Sequence, residues 1–200
     1  MNWRLLGEAF VTLFVIMDPP GTIPVFLSLT GGRSASERRR VAWQAALVAF
    51  VVIVLFALFG QQILTYLGIT LPALQCAGGL LLLLVALQLL TGQADEPAPT
   101  GEVNVALVPL GTPLLAGPGA IVATMVFVRR IGDLGDAVAV GVGIVAVHVV
   151  LWLTMRFSIG IIRLIRDSGV VLTSRIAGLL LSAIAVQLVA EAVRAFVTQG

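Results

Sequence analysis

The sequence predicts an all-α polytopic membrane protein: six transmembrane helices in two inverted three-helix repeats, the first helix of each repeat broken at Pro-Gly. Three observations carry this. The chain is 59% hydrophobic and 11% charged, with mean hydropathy +1.09, whereas a soluble domain is roughly half apolar and a quarter charged. Its apolar segments are continuous rather than alternating, which argues against a β-barrel and leaves helices as the way to satisfy backbone groups in lipid. Finally, the chain resembles itself at a fixed offset.

A span needs about 20 apolar residues to cross roughly 30 Å of hydrocarbon. Six segments qualify: 5–29, 40–60, 70–90, 105–128, 136–156 and 176–197. The second, third and fifth are uninterrupted, whereas the first and fourth contain breaks. Segment six ends with Glu191 and Arg194, spaced to pair at i, i+3. Residues 93–103, QADEPAPTGEV, form a short acidic, Pro-rich linker between the halves, which run 1–92 and 104–200. Residues 158–173, with Arg163 and Arg166 among Ile and Leu, read either as a short interfacial helix or as ordinary loop. The N-terminal run lacks a small-residue cleavage site before Asp18 and reads as a retained first span.

The duplication rests on two matches. Pro20-Gly21-Thr22-Ile23 corresponds to Pro118-Gly119-Ala120-Ile121, 98 residues on, and Gly79–Leu89 corresponds to Gly178–Leu188, 99 residues on. Leucines match by chance in such helices, so Gly, Ala and Gln in one register carry the argument. Three spans per half make the second half enter the membrane from the opposite side, the plan of many secondary transporters. Arg33, Arg38, Arg39, Arg40, Arg156, Arg163, Arg166 and Arg175 lie on one face, and Arg4, Arg129, Arg130 and Arg194 on the other. The excess puts the former face in the cytoplasm and both termini outside. Re-entrant hairpins for segments one and four would give the same ratio with both termini inside. True spans are preferred because Leu5–Leu29 would cover about 37 Å as a helix.

The chemistry concentrates at the breaks. Phe14–Thr30 reads FVIMDPPGTIPVFLSLT and Thr112–Phe127 reads TPLLAGPGAIVATMVF. Proline removes a backbone donor and clashes with the preceding turn, so Pro19, Pro20, Gly21 and Pro24 open the helix. A half-helix starting near Thr22 would offer N–H groups to a carboxylate, and carbonyls released before the break would hold a cation. A solute carrying both a carboxylate and an ammonium suits such a paired site. The competing reading is a proline kink that serves packing alone.

Candidate substrate-binding residues are Pro20, Gly21, Thr22, Gly117, Pro118, Gly119 and Thr124. Asp18 is the acid well inside a span, and its burial costs several kcal/mol, which makes it the candidate for ion coupling. Its alternative and compatible role is N-cap of a half-helix starting near Pro19. The matching position in the second repeat is Ala116. His148, Gln88 and Gln187 are candidate pore-lining groups, with interhelical hydrogen bonding as the structural alternative. Gly78, Gly79 and Gly178 read as helix-packing positions.

Other classes find no support. The chain has one Cys and one His, distant from each other, so neither an internal disulfide nor a metal site can be built from them. No phosphate loop or nucleophile constellation is present, so no enzyme activity and no cofactor are expected. The net charge of +2, all of its basic residues Arg, reads as an orientation signal rather than a nucleic-acid surface. The expected partners are the lipid bilayer, a small solute and a coupling ion. Gly-rich faces permit a homodimer without demanding one.

The segment Phe14–Thr30 resembles the signature of the MarC family of bacterial inner-membrane proteins, Asp-Pro-aliphatic-Gly-Asn-aliphatic-Pro followed by Thr, and Gly117–Ile121 (GPGAI) resembles that family's second motif. Pro20 replaces an aliphatic residue and Thr22 an Asn. The resemblance implies a six-span inner-membrane protein, some members being regarded as neutral amino-acid transporters. The resulting expectation is a secondary transporter of small neutral amino acids coupled to H⁺ or Na⁺. Its alternatives are a non-transporting scaffold or assembly subunit, or an exporter of another small solute.

Overall fold

The computed structural model describes residues 2–91 and 115–199. The linker 93–103, Thr112 and the first part of segment four lie outside the described residues. What is described is helical, with no strand. The elements are α1 Trp3–Met17, α2 Pro19–Thr30, α3 Ala35–Leu67, α4 Leu71–Thr91, α5 Pro118–Arg129, α6 Leu134–Arg156 and α7 Ser158–Gln199. Five stretches among them are long and apolar enough to cross a membrane: 3–23, 35–67, 71–91, 134–156 and 175–198. At 12 residues, α5 is about 18 Å long, half a crossing.

Local chemistry sets the helix ends. Ser34 and Glu37 form a capping box at α3, the Ser34 N–H donating to Glu37 Oε2 at 2.8 Å. Gly68 ends α3 in the left-handed region (φ 67°), and the following Ile69 N–H donates to Leu64 O at 2.9 Å. Asp133 caps α6 by accepting from the Asp136 N–H at 2.8 Å. Ser34 and Asp133, and likewise Glu37 and Asp136, are 99 residues apart, the offset of the sequence repeat. The stretch 158–173 is helical and runs without interruption into the last span. The 42-residue α7 is therefore about 63 Å long, twice the hydrocarbon thickness. A separate interfacial helix or loop is not what forms, because no Pro or αL residue separates the two parts.

Contacts at the helix ends fix the path of the first segment. Asn2 Nδ2 donates to Asp136 Oδ1 at 2.9 Å, and Arg130 Nη2 pairs with Glu8 Oε2 at 2.7 Å, so α1 starts where α6 starts. Trp43 meets Trp152 edge-to-face, ring centroids 6.0 Å apart, so α3 starts near the end of α6. Only residues 31–34 join α2 to α3, a reach of about 14 Å at most. Hence α1 and α2 together pass from one end of α6 to the other. The first segment is a broken crossing, not a re-entrant hairpin.

Close approach at glycine builds the helix pairs. A Cβ on Gly79 would meet the Ala185 carbonyl at 2.8 Å, Val189 at 2.8 Å and Leu188 at 3.3 Å. One on Gly178 would meet Leu89 at 3.1 Å, the Ala86 carbonyl at 3.2 Å and Leu90 at 3.2 Å. Shifted by 99 residues, each set becomes the other. The partner numbers fall as the glycine numbers rise, so α4 and α7 run antiparallel. The two glycines pack as the sequence predicted. With α2 matched to α5, α3 to α6 and α4 to α7, the main helix pairs exchange with one another: α2 packs on α6 and α7, α5 on α3 and α4, α3 on α6, and α4 on α7. The main core runs through both breaks, from Leu13 and Met17 to Leu115, Ala116 and Ala120.

A candidate solute site at two helix breaks

Asp18 is where the first helix breaks. It is the non-glycine residue with positive φ among the described residues (φ 40°, ψ 68°), a conformation that Asp tolerates better than most side chains. Its N–H donates to Phe14 O at 3.0 Å, closing α1. Its Oδ1 accepts the Gly21 N–H at 3.1 Å, and its carbonyl accepts the Thr22 N–H at 3.0 Å, opening α2. The Thr22 hydroxyl donates to Pro19 O at 2.6 Å.

This arrangement corrects two expectations. The half-helix begins at Pro19, not near Thr22, and Pro24 sits within α2 rather than opening it. Nor does the start of α2 offer a seat for a carboxylate. Pro19 and Pro20 have no N–H, and the next two donors are taken by Asp18. Two prolines at the first helical positions carry fixed φ and lack only donors that are orphaned there anyway. Asp18 thus performs the N-cap role that the sequence left open. A Cβ on Gly21 would collide with the Asp18 carboxylate and push it off the cap.

Asp18 is buried at 9% relative exposure, and among the described residues it has no cationic partner. At the second break, Gly117 is the N-cap with no side-chain cap, and Pro118 is the first helical residue. The Ala120 and Ile121 N–H groups both donate to Gly117 O, at 3.0 and 3.2 Å. That leaves Gly119 N–H without an acceptor among the described residues. The two helix starts therefore differ in polarity: a carboxylate stands at the start of α2 and an unpaired, buried backbone donor at the start of α5. Pro20, Gly21 and Gly117 are half-buried and Pro118 is exposed, so both breaks remain accessible. Gly119 instead faces the Leu82 side chain, and Gly78 faces Val122, locking α4 against α5.

A model described as MarC family integral membrane protein matches residues 3–197. The chain belongs to the MarC family. It is 38% identical to a UPF0056 membrane protein of Methanocaldococcus jannaschii over 97% of this chain and 98% of the relative. It is 31% identical to the UPF0056 inner membrane protein MarC of Salmonella arizonae, over 96% and 95%, and 30% identical to the UPF0056 membrane protein YvbG of Bacillus subtilis, over 94% of each. No solved structure matches.

The remaining candidates in this MarC-family chain are distributed unevenly. Thr124 is fully buried on α5, and its Oγ1 finds no hydrogen-bond partner among the described residues. His148 is buried on α6; its Nδ1 lies 2.7 Å from Ile144 O and its ring meets Phe50 edge-to-face at 5.3 Å. This places His148 in the α3–α6 contact. Gln88 and Gln187 lie on exposed faces of α4 and α7, away from the buried core. Gln187 donates to Glu191 at 3.0 Å, so Glu191 is engaged by Gln187, and no ion pair with Arg194 forms among the described residues. The sequence reading missed the pair that does form: Glu8 bridges Arg4 (2.9 Å) and Arg130 (2.7 Å). Arg4 and Glu8 at i, i+4 were the available signal, whereas Arg130 is 122 residues away in the chain.

Proposed function

We propose that this integral membrane protein is a non-catalytic secondary transporter of small neutral amino acids, coupled to H⁺ or Na⁺. The observation that carries the reading is a buried carboxylate, Asp18, at a helix break, with no cationic partner among the described residues. A lone carboxylate at membrane depth costs several kcal/mol. A proton, a Na⁺ or a substrate ammonium would relieve that cost, so Asp18 is where solute and ion occupancy would be coupled. The Gly119 N–H at the start of α5, buried and without an acceptor among the described residues, offers the complementary contact for a solute carboxylate, and the Thr124 hydroxyl, likewise unpaired among them, belongs to the same helix. A zwitterion matches a site with an acid on one break and a donor on the other.

Two inverted three-helix repeats are the architecture assigned here. The reading is supported by the reciprocal Gly79 and Gly178 contacts, the antiparallel α4–α7 pair and the exchange of α2 and α5 partners. Such repeats rock against each other about a midplane site. With the first segment a full crossing, the Arg excess orients the α2–α3 and α6–α7 connections toward the cytoplasm and both termini outward.

The test is uptake of labelled glycine, alanine and serine into proteoliposomes under imposed H⁺ or Na⁺ gradients. Accumulation above equilibrium with one gradient, abolished in Asp18→Asn, is the expected result. Absence of uptake by inserted, folded protein would remove these solutes from the reading.

A further inference from the structure

We propose that the facing ends of α3 and α6 form a binding site for the headgroup of an anionic phospholipid. The two helices run antiparallel here, and Trp43 and Trp152 meet with centroids 6.0 Å apart and planes at 81°. On α3, Arg39 and Arg40 precede Trp43 by four and three residues, so they stand on its face one turn nearer water. On α6, Arg156 follows Trp152 by four residues, which is also one turn nearer water because that helix ends there. Its guanidinium carbon lies 5.5 Å from the Trp152 ring centroid and 5.7 Å from that of Phe157. Two opposed helix ends therefore bring three guanidiniums to the outer side of one indole pair.

The charge of this cluster is uncompensated among the described residues. Among the described residues none of the three arginines is in an ion pair. The neighbouring Glu37 is held by the Ser34 hydroxyl and N–H, at 2.6 and 2.8 Å. Indoles settle at the membrane interface, and one helical turn, about 5.4 Å, separates them from the arginines. A lipid phosphate lies at that level, and guanidinium binds phosphate through paired donors. An anionic headgroup fits better than a zwitterionic one, whose cation would enter a cluster of cations. Inward from the indoles, Leu47 and Val51 continue the Trp43 stripe and Val149 and Val145 the Trp152 stripe. All four are exposed, giving an acyl chain a surface to lie on.

The test uses the full chain carrying Trp3→Phe, so that emission comes only from Trp43 and Trp152. It is reconstituted in phosphatidylcholine bilayers containing a small fraction of brominated phosphatidylglycerol or brominated phosphatidylcholine. At equal mole fraction the brominated phosphatidylglycerol is expected to quench more strongly. The preference should fall about fivefold for each arginine replaced in Arg39→Gln, Arg40→Gln and Arg156→Gln, and Arg156→Lys should retain most of it. Should the triple variant fail to insert, Arg156→Gln alone carries the test. Equal quenching in the parent, or a preference that survives the triple replacement, would overturn the proposal. So would loss of the preference on adding millimolar inorganic phosphate or an acidic peptide at constant ionic strength, which would assign the cluster to that ligand. None of these readouts depends on transport.

Discussion

Replacing Asp18 separates its two roles, cap and charge. Asp18→Ala removes the acceptor of the Gly21 N–H, a cap worth about 1 kcal/mol. It also places alanine at φ 40°, ψ 68°, where a Cβ residue pays roughly 1 kcal/mol or more. The sum is a loss of about 2–3 kcal/mol. Asp18→Asn keeps a side-chain oxygen for Gly21 and a residue that tolerates this conformation, so its loss should stay within about 1 kcal/mol. The assay is unfolding by SDS titration in mixed micelles, followed by far-UV circular dichroism. Equal destabilisation by Ala and Asn would refute the capping argument, since only the acceptor and the αL tolerance distinguish them. Uptake then isolates the charge: folded Asp18→Asn should lose gradient-driven accumulation, and retention of it would remove Asp18 from coupling.

Four further outcomes follow from the same geometry. Gly79→Ala should cost about 1–3 kcal/mol and more than Gly178→Ala in the same unfolding assay, because its Cβ meets a backbone carbonyl at 2.8 Å rather than 3.2 Å. Thr124→Val should leave stability unchanged or raise it by about 1 kcal/mol, since the lost hydroxyl has no partner, yet uptake should fall; normal uptake would exclude Thr124 from the site. Glu8→Gln should cost at most about 1 kcal/mol, because the pair is solvent-accessible. Glu8→Arg should separate α1 from Arg130, as read by a spin-label distance between residues 7 and 131, and adding Arg130→Glu should restore it; an unchanged distance would show that the pair does not hold α1. Gly21→Ala should destabilise less than Asp18→Ala, because it displaces the same carboxylate but leaves Asp at the left-handed position; unfolding midpoints decide this.

Sequence alone determined the membrane class, the five stretches long enough to cross a membrane, the break at Asp18 and the helix start at Pro118. Composition and run length are set by the bilayer, a constraint that acts locally on every segment. The 99-residue offset was legible because Gly79 and Gly178 keep their register. Its matching caps, Ser34 with Asp133, became visible only once the helix starts were known. Other features needed the tertiary structure. The charge count gave the same ratio for a crossing and a hairpin, and contacts of Asn2 and Trp43 with opposite ends of α6 decided it. The prolines marked the break, but whether its donors stayed free depended on Asp18 folding back on Gly21. Gln88 and Gln187 matched in the repeat yet face outward, because periodicity places a residue on a face without saying what packs there. The Glu8–Arg130 pair joins residues 122 positions apart, and such a distance is closed by packing of whole helices, which no local pattern encodes.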